Sequence, residues 1–258
     1  MPPTICLSFD VEEFDMPLEY GQQITLQEQM EVGKAGLDVL LPVLNEEAVA
    51  CTMFTTANFA DHYAATIKAM AQVHEIASHT YYHSHFDVKD LLQSRIRLQQ
   101  ISEQAVNGLR MPRMRKVEMT DVKAAGYTYD SSINPTYIPG RYNNLHISRT
   151  IYSENEMLRV PASVSPQFRI PLFWLAFKNL PYTVFKHLLQ RVLKKDGYAC
   201  LYFHPWEFIN ISNYKIPGYA KKDCDKILLE KLQRLIKDFK PVAKFETIEK
   251  YVTTFKIL

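Results

Sequence analysis

Short apolar segments alternate with segments of helical spacing along the first half of the chain, and this alternation limits the fold more than any other feature. β-Branched and aromatic residues are concentrated at residues 3–9, 49–55 and 73–77, which are predicted strands. Between them, residues 32–44 and 58–71 place apolar side chains at the spacing of amphipathic helices. Strands separated by helices with short connections predict a parallel sheet with helices packed on it.

The same alternation returns near the end of the chain, after a proline-rich interruption. Residues 134–181 contain prolines at intervals that break any long helix or strand. A helix predicted over residues 182–195 then leads to a strand over residues 199–203, which ends at His204. An amphipathic helix over residues 223–239 follows.

The composition fits one large α/β domain over residues 1–258 and excludes several classes of protein. Hydrophobic residues make up 47% of the chain, enough to bury a sizeable core. A net charge of +2 is not the strongly basic charge that is typical of nucleic-acid-binding proteins. The four cysteines lack the spacing of a metal site. With no leader pattern and no apolar run that fits a bilayer, the expected location is the cytoplasm.

Polar side chains follow the predicted strands at the point where each strand ends. The first strand leads to Asp10 and Glu12, and later strands lead to Arg110, Asp130 and His204. Because the carboxyl ends of parallel barrel strands meet at one mouth, we expect these groups to share a site.

His79 and His83 follow the third predicted strand at a spacing that suits a metal ion. In a turn of helix, residues i and i+4 lie on one face, so both imidazoles would point the same way. Two histidines with one or two carboxylates form a catalytic metal set that leaves positions open for water. With a base and a separate proton donor, such a set predicts hydrolysis of an acyl carbon–nitrogen or carbon–oxygen bond.

Five short motifs occur along the chain in an order known from one enzyme family. They are Ser8-Phe9-Asp10-Val11, His79-Thr80-Tyr81-Tyr82-His83, Arg110-Met111-Pro112-Arg113, Asp130 with Asn134, and Leu201-Tyr202-Phe203-His204. In these motifs the sequence resembles the NodB-homology polysaccharide deacetylases, carbohydrate esterase family 4, over most of the chain. The resemblance implies an α/β fold, a distorted, seven-stranded (β/α) barrel of the polysaccharide deacetylase type.

The resemblance also implies an activity and a cofactor. The expected reaction is metal-dependent hydrolysis that removes an N-acetyl group from an amino sugar of a polysaccharide or its precursor. The expected partner is therefore a carbohydrate with an N-acetylated sugar. His79 and His83 would bind the metal, with zinc as the default ion, although manganese, cobalt or nickel would tolerate the same ligands.

Four residues take catalytic roles by the same resemblance. Asp10 is the expected general base, and Arg110 would hold it ionised and oriented. His204 is the expected general acid, and Asp130 would be the orienting partner that raises its basicity. Two contacts are thus predicted, between Asp10 and Arg110 and between Asp130 and His204.

Four further residues are expected around the substrate. The backbone N–H of Arg113 would help to stabilise the oxyanion, and Leu201 would line the small pocket for the acetyl methyl group. The Trp of the fourth family motif is absent, and Trp206 or Trp174 could fill that wall of the groove. Glu207 lies next to the site in sequence and is a candidate for substrate contact.

The first motif departs from the family pattern at Val11, where the family has a second, metal-binding Asp. In Asp10-Val11-Glu12 the acid is displaced by one residue, which resembles a subgroup with an Asp-Val-Asp or Asp-Val-Glu motif. Because Glu is one methylene longer than Asp, we predict that Glu12 bridges the shift and is the third metal ligand.

Two other functions stay open on the same fold. Residues 12–14, Glu-Glu-Phe, resemble the start of a related branch that hydrolyses ring amides of the allantoin type without a metal. The other alternative is a catalytically dead carbohydrate-binding relative. Such a relative would not need Asp10, Arg110 and His204 together.

One segment suggests contact with a membrane surface. Residues 168–177 are strongly apolar, and Lys178, Lys186, Lys194 and Lys195 follow them. A surface of this kind would bring lipid-linked saccharides to the site. The alternative is that the segment covers the barrel and packs into its core.

Overall fold

A curled, mostly parallel β-sheet forms the centre of the protein. The computed structural model describes residues 2–255. Its strands are β1 (Thr4–Val11), β2 (Thr52–Thr55), β3 (Glu75–Ser78), β4 (Gly108–Leu109), β5 (Tyr129–Asp130), β6 (Tyr137–Ile138), β7 (Tyr142–Asn143), β8 (Tyr152–Glu154), β9 (Met157–Arg159), β10 (Tyr198–Phe203) and β11 (Lys244–Phe245). β6 and β7 form a separate antiparallel pair.

Seven strands of the described chain lie parallel in the order β10-β1-β2-β3-β4-β5-β9. β8 pairs antiparallel with β9, and β11 pairs with the first residues of β1. After β9, the N–H of Ser163 donates to the carbonyl oxygen of Cys200 at 2.9 Å, which brings this segment beside β10. The sheet thus curls into a half-barrel, and the predicted fold of the deacetylase (β/α) type is confirmed. Its described part contains nine strands rather than the predicted seven, because β8 and β11 join the seven strands of this order.

Helices cover the outside of this sheet. They are α1 (Met16–Glu19), α2 (Leu26–Glu46), α3 (Ala57–His62), α4 (Ala64–Met70), α5 (Lys89–Ser102), α6 (Met119–Ala124), α7 (Trp174–Asn179), α8 (Tyr182–Asp196), α9 (Gly218–Lys221), α10 (Lys226–Phe239) and α11 (Ile248–Val252). Tyr63 has φ −127° and separates α3 from α4, so the single helix predicted over residues 58–71 is two short ones. Two 3-10 turns, Pro112–Met114 and Pro205–Phe208, follow β4 and β10.

β1 is buried on both faces, and the two faces differ in character. Ile5, Leu7 and Phe9 belong to the main hydrophobic core, whereas Cys6 belongs to a smaller apolar cluster inside the barrel. Because side chains alternate along a strand, Asp10 lies on the inner face with Cys6. The inside of the barrel therefore becomes polar at the carboxyl end of β1.

α2 packs directly against the 3-10 turn that follows β10. Thr25 caps this helix, and its Oγ1 accepts the N–H of Glu28 at 3.1 Å. A Cβ at Gly36 would lie 2.1 Å from the carbonyl oxygen of Pro205, so only glycine permits this close approach. The helix thereby holds the segment that begins at His204.

The apolar segment at residues 168–177 mostly covers the barrel. Leu172 and Phe177 are buried in the main core, whereas Phe168 is 79% exposed. Lys178, which was predicted on a basic surface, is buried with 1% exposure, so that prediction is wrong for this residue. Within residues 2–255, no helix combines the length and the apolar character that a membrane crossing requires.

Candidate active site

The carboxyl ends of the parallel strands form a cleft that collects five predicted site residues. β1 carries Asp10, and Glu12 follows one residue after its end. His79 and His83 lie in the segment after β3, and His204 follows β10. All five line the cleft, and each is 9% exposed or less. The fold thus brings together groups that are far apart in the sequence.

The predicted metal ligands converge on one point. The Nε2 atoms of His79 and His83 both lie 3.1 Å from Oε2 of Glu12. The ligand atoms of the three residues all lie within 4.8 Å of one another. Two imidazole nitrogens and a carboxylate oxygen are the ligand types that catalytic zinc sites use. The three side chains can therefore hold a divalent ion together.

The second ring nitrogen of each histidine is anchored by an acceptor. Nδ1 of His79 donates to the carbonyl oxygen of Arg110 at 2.7 Å, and Nδ1 of His83 donates to Oδ1 of Asp15 at 2.8 Å. A carbonyl oxygen and a carboxylate accept hydrogen bonds, so Nδ1 carries a proton on both rings. Nε2 is then the atom left to bind a metal, as in metal sites where a carbonyl or carboxylate orients the histidine. The residues present therefore fit a divalent ion.

The predicted helical turn at residues 79–83 is wrong, although the two imidazoles do lie together. No helix of the described chain includes these residues, and Thr80 has a φ of +64°. The N–H of Thr80 donates to Oγ of Ser78 at 3.1 Å, and its hydroxyl donates to the carbonyl of Tyr82 at 3.0 Å. These bonds hold a β-branched residue in a conformation that it rarely adopts. The resulting turn stacks the two rings with centroids 5.7 Å apart.

The predicted contact between Asp10 and Arg110 is present. Nη1 of Arg110 donates to Oδ1 of Asp10 at 2.7 Å and to Oγ of Ser8 at 3.0 Å. The guanidinium is completely buried and lies 4.1 Å from the centroid of the Phe54 ring. The other carboxylate oxygen of Asp10, Oδ2, lies 3.9 Å from Nε2 of His204. One oxygen is thus paired with Arg110, while the second lies near the imidazole at the cleft.

His204 is oriented by Glu207 and not by Asp130. Oε1 of Glu207 accepts from Nδ1 of His204 at 2.9 Å and from its backbone N–H at 2.7 Å. Burial lowers the pKa of His204, but the negative charges of Glu12, Glu207 and Asp10 raise it by more, so it lies above its usual value. Glu207 is fully buried and does not line the cleft, so its predicted contact with substrate is wrong.

Asp130 has other partners, and the predicted pairing with His204 is therefore wrong. Oδ2 of Asp130 accepts from Nε of Arg159 at 2.9 Å, and the hydroxyl of Ser132 donates to Oδ1. The same Ser132 oxygen accepts the N–H of Met111 at 2.7 Å. Both oxygens of Asp130 are engaged on these groups, and the residue supports the turn that contains the Arg-x-Pro motif.

Tyr202 occupies the position in the cleft that was predicted for Leu201. Leu201 is fully buried in the main core, on the outer face of β10, and the prediction that it lines the acetyl pocket is wrong. Tyr202 lines the cleft, and its hydroxyl accepts from Nδ2 of Asn134 at 3.1 Å. Because side chains alternate along a strand, the residue two before His204 shares its face, and this signal was available in the sequence.

Two tryptophans supply the wall that the missing family Trp left undefined. Trp174 and Trp206 both line the cleft. The ring of Trp206 stacks on His204 with centroids 4.8 Å apart, and its Nε1 donates to Oε1 of Glu12 at 3.2 Å. Trp206 therefore contacts both the candidate metal ligand and the candidate acid.

Arg113 reaches the site through its side chain as well as its backbone. Nη2 donates to both carboxylate oxygens of Asp15 at 2.9 Å, and Nη1 donates to the carbonyl of His83 at 3.0 Å. Burial raises the pKa of Asp15, but His83 and Arg113 lower it by more, so it lies below its usual value. Sequence reasoning gave Asp15 no role, since no local pattern marks a contact with a residue so distant in the chain. The oxyanion role of the Arg113 backbone stays a prediction.

Part of the chain matches the sequence model of a known protein family. Residues 4–129 match the family model described as polysaccharide deacetylase, a stretch that includes Asp10, Glu12, His79, His83 and Arg110. Over this stretch, just under half of its length, the chain is similar to the polysaccharide deacetylase family. Comparison with curated protein sequences gave no match.

Three solved structures share the fold. A protein from Mycobacterium smegmatis described as a polysaccharide deacetylase is 18% identical, with a TM-score of 0.64 over 97% of this chain and 89% of that one. A protein from Pseudomonas aeruginosa PAO1 with the same description is 15% identical, with a TM-score of 0.65 over 98% and 90%. The Puue allantoinase is 14% identical, with a TM-score of 0.65 over 98% and 89%. At these identities the likeness concerns the fold alone.

Proposed function

We propose that the protein is a metal-dependent deacetylase, which removes the N-acetyl group from an amino sugar of a polysaccharide or its precursor. The observation that carries this proposal is the cluster of Glu12, His79 and His83, in which both Nε2 atoms face one carboxylate oxygen. The similarity of residues 4–129 to the polysaccharide deacetylase family supports a carbohydrate as the substrate class. Zinc is the proposed ion, because two histidines and one carboxylate form a common catalytic zinc set.

The metal ion and the residues of the protein would contribute different parts of the hydrolysis. A divalent ion held by the cluster would polarise the acetyl carbonyl and make a water acidic enough to react near neutral pH. Asp10 accepts a proton from this water as the water oxygen bonds to the acyl carbon. When the carbon–nitrogen bond breaks, its electron pair stays on nitrogen, which takes the Nε2 proton of His204. The backbone N–H of Arg113 is the proposed donor to the oxyanion.

The surroundings of Asp10 and His204 support these opposite roles. Nη1 of Arg110 donates to Oδ1 of Asp10 and so holds this carboxylate with Oδ2 towards the cleft, where a base is required. Glu207 places a negative charge against His204 and favours its protonated form, which is what an acid requires. Oδ2 of Asp10 and Nε2 of His204 lie 3.9 Å apart, so both can reach one bound acyl group.

The lining of the cleft supports a sugar as the substrate. Tyr142, Trp174, Tyr202 and Trp206 flank the candidate ligands. Aromatic rings with a polar tip offer an apolar surface and a hydrogen-bonding group at once. A sugar ring presents apolar C–H faces and hydroxyl edges, so this lining matches it.

Metal content is the measurement that tests the proposal. After dialysis against limiting zinc, we expect wild type to retain about one equivalent and Glu12→Ala and His79→Ala to retain little. Glu13→Gln is the matched control, because Oε2 of Glu13 accepts from Thr56 at 2.7 Å and Oε1 from Asn58 at 2.6 Å, outside the cluster. This variant should keep its zinc.

Acetate release from N-acetylglucosamine oligosaccharides is the second readout. It should follow zinc content, and Asp10→Asn should lower it by about 10²–10⁴-fold while the ion is retained, because only the base is lost. A folded wild type without zinc would overturn the metal-dependent mechanism. Hydrolysis of an allantoin-type ring amide in the presence of a chelator would then establish the cyclic-amide alternative.

A further inference from the structure

A buried pair of opposite charges lies behind His204, on the side away from the cleft. Lys178 on α7 and Glu207 in the 3-10 turn after β10 are both fully buried. Nζ of Lys178 lies 3.0 Å from Oε2 of Glu207. A buried charge is costly, and a pair of apolar side chains would often be at least as stable. The pair therefore calls for an explanation other than stability.

Further contacts fix the ammonium group of Lys178. Nζ donates to the carbonyl oxygen of Ala220 at 2.7 Å and to Sγ of Cys224 at 3.1 Å. It also lies 5.0 Å from the ring centroid of Trp174 and 5.6 Å from that of Trp206. Since these two rings line the cleft, one aromatic layer separates Lys178 from the space where substrate would bind.

The two carboxylate oxygens of Glu207 have different partners. Oε1 accepts two hydrogen bonds from His204, one from Nδ1 at 2.9 Å and one from the backbone N–H at 2.7 Å. Oε2 lies 3.0 Å from Nζ of Lys178. The carboxylate thus links the buried ammonium group to the ring and the backbone of the candidate acid.

We propose that Lys178 is a positioning residue for His204, which compensates the charge of Glu207 and so keeps this carboxylate bound to Nδ1 of His204. The proposal rests on the deacetylase function proposed above. With Lys178 removed, the buried Glu207 carboxylate would lose its fixed counter-charge. It would then take up a proton or shift, and either change weakens the bond that fixes the tautomer and direction of the imidazole. Nε2 would no longer be held towards the leaving nitrogen.

The leaving group of the substrate distinguishes this role from a structural one. For an N-acetylated amino sugar, Lys178→Met should lower kcat by about 10–100-fold and change KM by less than about threefold, because proton donation is impaired and binding is not. An aryl acetate releases a phenolate that needs no proton, so its hydrolysis should change by less than about threefold. A distorted cleft or a lost ion would lower both activities alike.

Lys231→Met is the matched control for the loss of a lysine beside α7. Nζ of Lys231 donates to the carbonyl oxygens of Phe177 and Leu180 and lies 5.1 Å from the ring centroid of Phe177. Lys231 is half-buried, and no salt bridge within the described residues includes it, so it shares the contact with α7 but not the link to His204. The ratio of the two activities should be unchanged in this variant.

A double variant tests whether Lys178 acts through Glu207. If it does, the addition of Lys178→Met to Glu207→Gln should cost less than about a further threefold in kcat, because the charge that Lys178 compensates is already gone. The double variant also has no unpaired buried charge, so it remains informative if Lys178→Met alone does not fold. Independent, multiplying effects of the two substitutions would contradict the proposal.

Proton NMR of His204 gives a readout that does not depend on activity. A ring Nδ1–H bound to an ionised carboxylate gives a far-downfield resonance, which His204→Ala identifies by its loss. We expect this resonance to move upfield in Lys178→Met and to stay in place in Lys231→Met. An unmoved resonance with an unchanged ratio of activities would overturn the role of Lys178. If wild type cleaves neither substrate, the deacetylase proposal fails, and the resonance still decides whether Lys178 holds Glu207 on His204.

Discussion

Glu12 and Glu75 are both buried inside the barrel, with 5% and 6% exposure, yet their pKa values shift in opposite directions. At Glu12, burial raises the pKa, but the imidazoles of His83, His204 and His79 lower it by more, so it lies well below the usual range. A carboxylate in this position is held as an anion.

At Glu75 the partners are hydroxyl and backbone groups. Oγ1 of Thr52 donates to Oε2 at 2.6 Å, the N–H of Glu249 donates to the same oxygen at 3.1 Å, and the hydroxyl of Tyr129 donates to Oε1. These bonds favour the ionised form but do not balance the cost of burial, so the pKa rises to about 7.

The difference follows from the ends of the strands at which the two residues lie. Glu12 comes just after the carboxyl end of β1, in the cleft, whereas Glu75 begins β3 at the opposite end of the sheet. In barrels of this type the carboxyl end carries the chemistry and the other end serves stability. Burial alone therefore does not mark a functional carboxylate, since the charge of its neighbours decides its state.

The largest expected difference between the two glutamates is the effect of a glutamine substitution on zinc affinity. Glu12→Gln should weaken zinc affinity by at least about 100-fold, because a neutral amide replaces an anionic ligand. Glu75→Gln should leave the affinity within about threefold, because it lies at the other end of the barrel. Competition with a chromogenic chelator measures both. Equal losses in the two variants would remove the functional distinction between the two ends.

The stability of the protein should respond to Glu75, whereas metal binding should respond to Glu12. The folded protein keeps the Glu75 proton up to about pH 7, whereas the unfolded chain releases it near the ordinary value of 4.5. Between these values the folded state binds more protons, so the stability from this group is full below about pH 4.5 and is lost as pH rises through about 7. The shift corresponds to about 3 kcal/mol.

Urea unfolding of the metal-free protein from pH 5 to pH 8 measures this effect. The difference in free energy of unfolding between wild type and Glu75→Gln should change by about 2–3 kcal/mol over this range, in the direction that favours wild type at low pH. The histidines in the cleft contribute equally to the free energy of unfolding of both proteins, so their contribution cancels in this difference. A constant difference would show that Glu75 ionises normally.

A smaller effect is expected one contact away from the metal cluster. Asp15→Asn should weaken zinc affinity by about 10–100-fold, because the amide still accepts from Nδ1 of His83 but no longer supports it with a charge. Glu19→Gln is the control, since Glu19 pairs with Arg113 but does not touch a histidine in the described chain. It should stay within about threefold in the same chelator assay. Similar losses in both variants would place the effect on Arg113 rather than His83.

The sequence predicted the parts of this site that depend on regular structure. Parallel strands bring their carboxyl ends to one edge, so the assembly of Asp10, Glu12 and His204 followed from the order of predicted strands. The displaced acid at Glu12 was predicted from the resemblance to a subgroup with an Asp-Val-Glu motif, and in the structure Glu12 lines the cleft one residue beyond β1.

The parts that could not be predicted depend on irregular backbone and on distant packing. No local preference predicts a left-handed Thr80, which is held by its hydrogen bonds to Ser78 and Tyr82. Glu207 orients His204 in place of the predicted Asp130, because the 3-10 turn brings Glu207 back onto His204. By contrast, Leu201 was misplaced although strand alternation would have given the right residue.

The pairing of β1 with β10 sets the order in which the cleft can form during synthesis. Residues 4–9 pair with residues 198–203, so the first of these strands has to wait for one that is synthesised much later. Pairings of such sequence separation are slow, because a long loop must close first. A nascent chain that stops before residue 198 therefore exposes an open strand edge, a state prone to aggregation, and has a base and metal ligands but no acid.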